Sequence, residues 1–549
     1  MLRNDKLQGL HERINAVFRR HLGNGSMILD DVPQLALESH YGRVVRCFAQ
    51  RPANLAASLT AAVARSAEAE ALVDGNRRLT YRQFAAQVDT LAAGLADMGL
   101  RSRDRVALLL GNRLEYPIIL YACALLGAIA VPMNVRQSAD ETAFALNQSG
   151  AVLLFHEAEA RLPAADAVPT LRSRLIVADD GALPAGTPRT FAPVEEDAPF
   201  CILYTSGTTG RPKGAVLTHF NLIHTALHFR HHYDLRDGER SVLAVPASHV
   251  TGLAALIVTS VELAGCLILM PEFKAAQFLH IAVAERMTYT LIVPAMIALV
   301  LMQPGFDGAA LCNWRVCGFG GAPMPDATIA ELADRLPGLA LHNTYGATET
   351  GSPAVIMPAD QTAARSRQLG LPVLTGDIVV MDEQGREVPR GAQGEIWISG
   401  PMVIPGYWDN PEATAGAFAG SFWKSGDLGS MDADGFIALH DRIKDMINRG
   451  GFKIYSVEEE NVLCRLPAVV EAAVVGKPCP VLGERVVAFV HLDPAARQPD
   501  DATMRAHCAT LLSDYKVPET FVIDPAPLPR NANGKLVKTT LRARLQTAA

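Results

Sequence analysis

The sequence has no excess of basic charge. Its 50 Lys and Arg face 57 Asp and Glu, for a formal net charge of −7. A chain without a basic field is a poor partner for nucleic acid. Cysteine is sparse: nine in 549 residues, scattered, with Cys312 and Cys317 the only near pair. No His or Cys cluster has metal-ligand spacing, so a zinc site is not indicated. Reduced thiols in a cytoplasmic protein are the simplest account. Long uninterrupted apolar runs are missing too. Leu291 to Met302 is too short to span a bilayer, and Tyr116 to Met133 is cut by Gly127 and Pro132. The latter suits a buried helix followed by a strand. Met1 to Gly25 is polar and charged, without the pattern of a secretory signal. No short repeat appears. A soluble protein with no integral membrane segment is expected.

What is present suits a well-buried enzyme, with 49% hydrophobic and 19% charged residues. At this length two or more domains are expected. Residues 1–53 read as a leader, helical by the spacing of Leu7, Leu10, Ile14, Val17 and Phe18. A helix docked on its own protein is favoured over a membrane-surface helix. From residue 54 the pattern becomes regular. Thr80 is placed to cap a helix. Arg105 to Leu110 reads as a strand, Glu115 to Ala128 as a helix, Ala151 to Phe155 as a strand. Val242 to Val245, Cys266 to Met270 and Thr290 to Val293 read as strands, Gly252 to Leu263 and Ala275 to Arg286 as helices. Such alternation implies parallel sheets flanked by helices. After residue 370 shorter strands suggest a small β subdomain, then a charged connector at Asp441 to Met446 and an α+β tail.

The chain is organised around Tyr204-Thr-Ser-Gly-Thr-Thr-Gly-Arg-Pro-Lys-Gly-Ala-Val-Leu-Thr-His219, which follows the apolar strand Phe200 to Leu203. Gly207, Gly210 and Gly214 let backbone N–H groups turn inward, and such a concavity binds anions. Thr205, Ser206, Thr208 and Thr209 add hydroxyl donors, and Lys213 a mobile cation. The physical reading is a polyphosphate loop. A flexible surface loop is the plain alternative, and the spacing is not that of a Walker A loop.

A second motif is Asn343-Thr-Tyr-Gly-Ala-Thr-Glu-Thr-Gly351. Glu349 offers a hard oxygen ligand for Mg²⁺, Thr348 a hydroxyl for a phosphate, Tyr345 a flat face for an adenine. Gly318-Phe-Gly320-Gly321 does not complete a dinucleotide fingerprint. Trp423-Lys-Ser-Gly-Asp427-Leu-Gly429 places a carboxylate in a glycine-flanked turn, able to accept from both hydroxyls of a ribose or from its own backbone.

Together these strings resemble the adenylate-forming superfamily: acyl-CoA synthetases, adenylation domains and firefly-type luciferases. The resemblance covers roughly residues 54 to 540 and is nearest to an acyl-CoA synthetase. It implies an α/β fold: a large domain at 54–441, a hinge at 442–444 and a small mobile C-terminal domain at 445–549. The large domain combines parallel-type sheets flanked by helices with the β subdomain. It implies ATP, Mg²⁺ and coenzyme A as cofactor and substrates. Thr205 to Gly210 and Lys213 would cradle phosphate. Gly320, Gly321, Ala322 and Pro323 would form the adenine wall, with Asn343, Tyr345 and Gly346. Thr348 would meet the α-phosphate and Glu349 the metal. Asp427 would hold the ribose, and Arg442 ribose and phosphate. Lys444 falls on the hinge. Gly451 would line the thiol tunnel, although Gly450-Gly451 also suits a hairpin turn. His249 matches a histidine near the acyl carboxylate. Lys535, in Pro529-Arg-Asn-Ala-Asn-Gly-Lys535, matches the catalytic lysine, a cation where charge builds on the α-phosphate.

The implied reaction joins a carboxylic acid to ATP, releases pyrophosphate, then passes the acyl group to a thiol with loss of AMP. Only 14 residues follow Lys535, so diffusible coenzyme A is the expected thiol. Val250 to Leu253, Gly318 to Gly321 and Tyr345 to Thr348 contain no Lys or Arg to pair a second carboxylate. A monocarboxylate with an apolar tail, fatty or aromatic, is expected. Loading of a separate carrier protein, a luciferase-like oxidase and an inactive nucleotide-binding protein are the alternatives. Homodimer formation is left open.

Overall fold

From Leu55 onward, apolar runs of four to seven residues become strands, and the amphipathic stretches between them become helices. The computed structural model describes residues 33–178, 181–205, 212–450, 452–531 and 536–547. They divide into two compact units. One comprises Met1–Ile378, Trp397–Lys424 and Gly435–Ile437; the other Val379–Ile396, Ser425–Asp434 and Ala438–Ala549.

The first unit holds two large sheets. A six-stranded sheet runs in the order Lys213–Thr218, Pro199–Thr205, Ile129–Met133, Arg105–Leu109, Leu153–His156, Ser173–Ile176. All of its pairings are parallel except the first, where Lys213–Thr218 turns back on Pro199–Thr205. A nine-stranded sheet has a parallel centre: Ala340–Tyr345, Val316–Gly320, Tyr289–Ile292, Arg240–Leu243, Cys266–Leu269 and Glu70–Asp74. Antiparallel strands close its two edges.

Local chemistry sets the helix ends. Thr80 caps Tyr81–Asp97 and Gln83 reaches back, completing a capping box. Glu115–Leu126 is buried almost all round and stops at Gly127, at φ 67°, before the strand Ile129–Met133. The apolar run that could be mistaken for a membrane span is thus a core helix and a core strand. Among the described residues no helix is long and apolar enough to cross a membrane.

Three expectations need correction. The described part of the leader is not helical: Leu35–His40 and Arg43–Phe48 form an antiparallel hairpin. Tyr41 and Gly42 both take positive φ, as a two-residue hairpin turn requires. The apolar spacing of residues 7 to 18, which suggested a helix, lies outside the described residues. Second, Gly252 to Leu263 is not a uniform α-helix. Thr251–Val258 is wound as a π-helix and only Thr259–Glu262 is α. Third, Asp427 does not sit in a turn but within the ten-residue strand Phe422–Met431.

The second unit is built on a long hairpin, Val469–Cys479 against Gly483–Leu492. Ile447–Arg449, Phe452–Ile454 and Thr520–Asp524 extend the sheet. Its core gathers Ile447, Ile454, Leu463, Val474, Val486 and Met504 beneath the helices Ser456–Leu463 and Asp501–Leu511.

Candidate active site

In the first unit the glycine-rich loop leaves one strand and enters its neighbour. Thr205 and Lys213 are register partners, the last and first residues of the two strands. The calls on Ser206, Gly207, Thr208, Thr209 and Gly210 lie outside the described residues. At the loop base a Cβ on Gly214 would stand 2.7 Å from the Ile202 side chain. The segment around Tyr407 then adds to this edge: Trp408 N–H donates to the Gly214 carbonyl at 2.7 Å, and Val216 N–H to Gly406 at 3.1 Å.

That addition brings two motifs together. The Tyr407 ring lies 5.3 Å from Lys213 Nζ, and its hydroxyl donates to Glu349 Oε1 at 2.9 Å. Burial and the neighbouring Glu349 carboxylate raise the Tyr407 pKa, so the phenol keeps its proton and remains a donor. Glu349 sits in the 3₁₀ turn Thr348–Thr350, whose Thr350 hydroxyl accepts from Ala347 N–H at 2.9 Å. The turn is tied down by Ile404 N–H donating to the Glu349 carbonyl at 2.9 Å. Sequence reasoning missed Tyr407. Its only signal is an aromatic pair after Pro405-Gly406.

Tyr345 and Asn343 end the strand Ala340–Tyr345, next to Val316–Gly320. Gly320 lies so close to the Thr344 carbonyl that a Cβ there would overlap it, and Gly321 takes φ 78°. Gly321, Ala322 and Pro323 are exposed, and Gly346 beside Tyr345 is exposed as well. These residues stand at the carboxyl ends of parallel strands, where open α/β sheets bind ligands. Thr348 is half-buried in the same turn as Glu349. His249, half-buried, accepts from Thr251 N–H at 3.3 Å just before the π-helix.

In the second unit, Asp427 Oδ1 lies 3.4 Å from Arg442 Nε. Asp427 N–H donates to Ser425 Oγ at 3.0 Å, and Gly426 N–H to Glu395 Oε1 at 2.9 Å. Gly426 takes φ 72° inside the strand. Lys444 is exposed, and partial desolvation lowers its pKa, with Arg442 adding to the effect. Its carbonyl accepts from Arg542 Nη2 at 3.3 Å, and Arg542 also pairs with Asp445 at 2.8 Å. Gly450, at φ 61°, follows Ile447–Arg449 in a hairpin whose return strand is Phe452–Ile454. Gly451 and Lys535 lie outside the described residues.

Known proteins resemble this chain over most of its length. The AMP-binding enzyme family matches residues 59–408, and the AMP-binding enzyme C-terminal domain matches residues 458–535. A feruloyl-CoA synthase of Amycolatopsis is 36% identical over 481 residues, covering 87% of this chain and 96% of that protein. A long-chain-fatty-acid–CoA ligase of Mycobacterium tuberculosis is 33% identical over 484 residues, 85% of this chain and 93% of that one. Among solved structures, o-succinylbenzoate CoA synthetase from Bacillus subtilis, in complex with its acyl-adenylate intermediate, superposes with a TM-score of 0.81. It is 28% identical and covers 90% of this chain and 98% of that one. The chain belongs to the AMP-binding enzyme family. It is an AMP-forming acid–thiol ligase.

Proposed function

We propose that the protein activates a monocarboxylic acid with an apolar tail, fatty or aromatic, and transfers it to coenzyme A. The acid's carboxylate oxygen attacks the α-phosphorus of ATP, the α–β anhydride bond breaks and pyrophosphate leaves. The thiol sulfur of coenzyme A then attacks the acyl carbonyl and AMP leaves. The observation that carries this reading is the line Lys213–Tyr407–Glu349. It sets a phosphate-seeking cation and a hard carboxylate on either side of one buried phenol.

Mg²⁺ fits that carboxylate. Glu349 is 9% exposed, flanked by two threonines, and Mg²⁺ takes one or two carboxylates with the rest of its shell from phosphates and water. When bound it would neutralise charge on the triphosphate. Thr205, Lys213 and Thr348 hold phosphate oxygens, and Gly320 to Pro323 with Tyr345 receive the adenine. His249 orients the acid's carboxylate. Asp427 and Arg442 hold the ribose, Gly451 lines the thiol path and Lys535 stabilises charge at the α-phosphate; family resemblance supports these roles.

The test is pyrophosphate release across a panel of acids, with and without coenzyme A. Acid-dependent release, with acyl-CoA formed only when the thiol is added, supports the reading. Release without acyl-CoA, followed by loading of a carrier protein, would replace the thiol assignment. No acid-dependent release would sink the proposal.

A further inference from the structure

Between the parallel strands Val316–Gly320 and Ala340–Tyr345, Gly318 pairs with His342 and Gly320 with Thr344. Residues alternate faces along a strand, so these four positions share one face of the sheet. Two of them are glycines, and the Thr344 carbonyl lies where a Cβ of Gly320 would stand. One side chain fills the space left at Gly318. Tyr233, at the C-terminal end of the helix His219–His232, is 1% exposed. Its ring stacks on His342 with centroids 4.4 Å apart and planes at 15°. Its hydroxyl is hydrogen-bonded to Thr344 Oγ1. A Cβ built on Gly318 would overlap the Tyr233 hydroxyl oxygen and stand 3.0 Å from Leu291 Cγ. Tyr289 and Phe229 hold the ring edge-on at 6.0 and 5.3 Å. Tyr289 also donates to the Ala255 carbonyl of the π-helix at 2.8 Å, closing the flank.

We propose that Tyr233 is the floor of the acid pocket and restricts the enzyme to acids with short or compact tails. The inference rests on reading the site as one for a carboxylic acid. A tail descending from the strand ends passes Gly320 and meets Tyr233 at the level of Gly318. Two residues of strand give a depth of about 7 Å, room for a few carbons or one ring. A long acyl chain would have to expel a fully buried tyrosine from its stack and break its bond to Thr344. Interiors are too closely packed to yield such space without a discrete rearrangement.

The experiment is a chain-length series of saturated acids, together with single-ring aromatic acids. Pyrophosphate release is measured for wild type, Tyr233→Ala, Tyr233→Leu and Tyr233→Phe, each checked for folding by thermal melting. Wild type should use short or single-ring acids and lose about tenfold or more in kcat/KM once the tail exceeds the pocket. Tyr233→Ala should shift the ratio of long-acid to short-acid kcat/KM upward at least tenfold, with KM for ATP within about twofold of wild type. Should Tyr233→Ala fail to fold, Tyr233→Leu, which keeps an apolar filler but is shorter, should shift the ratio the same way. Tyr233→Phe should keep the wild-type length limit, because the ring remains. An unchanged length profile in the folded small variants overturns this proposal alone, as does a wild-type preference for long chains. Absence of release from every acid overturns the site reading, and this proposal with it.

Discussion

The phenol of Tyr407 donates to Glu349 Oε1 at 2.9 Å while its ring lies 5.3 Å from Lys213 Nζ. One side chain thus fixes the carboxylate of one motif and faces the cation of another. Glu349→Gln should cut adenylation roughly ten- to a thousandfold, the scale of one lost electrostatic contact at a transition state. Tyr407→Phe keeps the ring but removes the donor, and should cost about tenfold. Pyrophosphate release over a range of Mg²⁺ concentrations checks both. Near-wild-type rates for Glu349→Gln at ordinary Mg²⁺ would remove Glu349 from the metal.

The two half-reactions should separate. Lys535→Ala is expected to fail with acid plus ATP, yet to form thioester from synthetic acyl-AMP and coenzyme A. Gly451→Leu should behave as its mirror image, releasing pyrophosphate in one turnover but yielding acyl-CoA slowly. Lys444→Pro removes an N–H and fixes φ, and should join Gly451→Leu. Rapid-quench measurement of each half-reaction decides the matter. Equal damage to both steps in Lys535→Ala would count against a lysine that serves only the first.

Acid should loosen the first unit through one helix. In His219–His232, His219 accepts from Leu55 N–H, His224 from Phe48 N–H and His232 from Leu374 N–H. Only an unprotonated ring nitrogen can do this. Burial holds His219 at about 4 and His224 at about 3, below the ordinary 6.5. Between those values and 6.5 the unfolded chain binds more protons than the folded one, so stability falls as pH drops through that window. Thermal melting should show a lower Tm at pH 5 than at pH 7, with a shallower slope in His224→Gln. A Tm independent of pH from 7 to 5 would contradict this role for the buried histidines.

Glu459 predicts the opposite slope in the second unit. It is 0% exposed and neither carboxylate oxygen has a partner among the described residues. Burial raises its pKa to about 8, with Glu458 adding to the effect. Here the folded state keeps a proton that the unfolded chain gives up near 4.5, so stability declines as pH rises through 4.5 to 8. Glu459→Gln should flatten that decline and stabilise the unit at pH 9. Denaturant unfolding of both proteins at pH 6 and pH 9 measures it; identical wild-type and variant slopes would refute the assignment.

Much of the architecture was legible because period and punctuation agree. Thr80, Gly127 and the apolar run Phe200 to Leu203 each carry a local instruction that the fold obeys. The misses have local causes too. Leu253 to Val258 is apolar at every position, so its pattern has no phase from which to distinguish a π- from an α-helix. The hairpin at 35–48 was hidden by reading the leader from its first twenty residues. Asp427 looked like a turn because Gly426 and Gly429 flank it, yet a strand accommodates the positive φ of Gly426 as a local irregularity. Tyr407 was illegible because its importance comes from a bridge to Ala215, 192 positions away, and nothing local announces it.

The fit of Tyr233 beneath Gly318 has an evolutionary side. A methyl at 318 and a phenol at 233 claim the same volume, so neither position is free to drift while the other stands still. Gly318→Ala should be harmful on its own and tolerated once Tyr233 has been cut back. A lineage that changes both must therefore change the helix end first and the strand afterwards. Packing thus orders substitutions in time as well as in space.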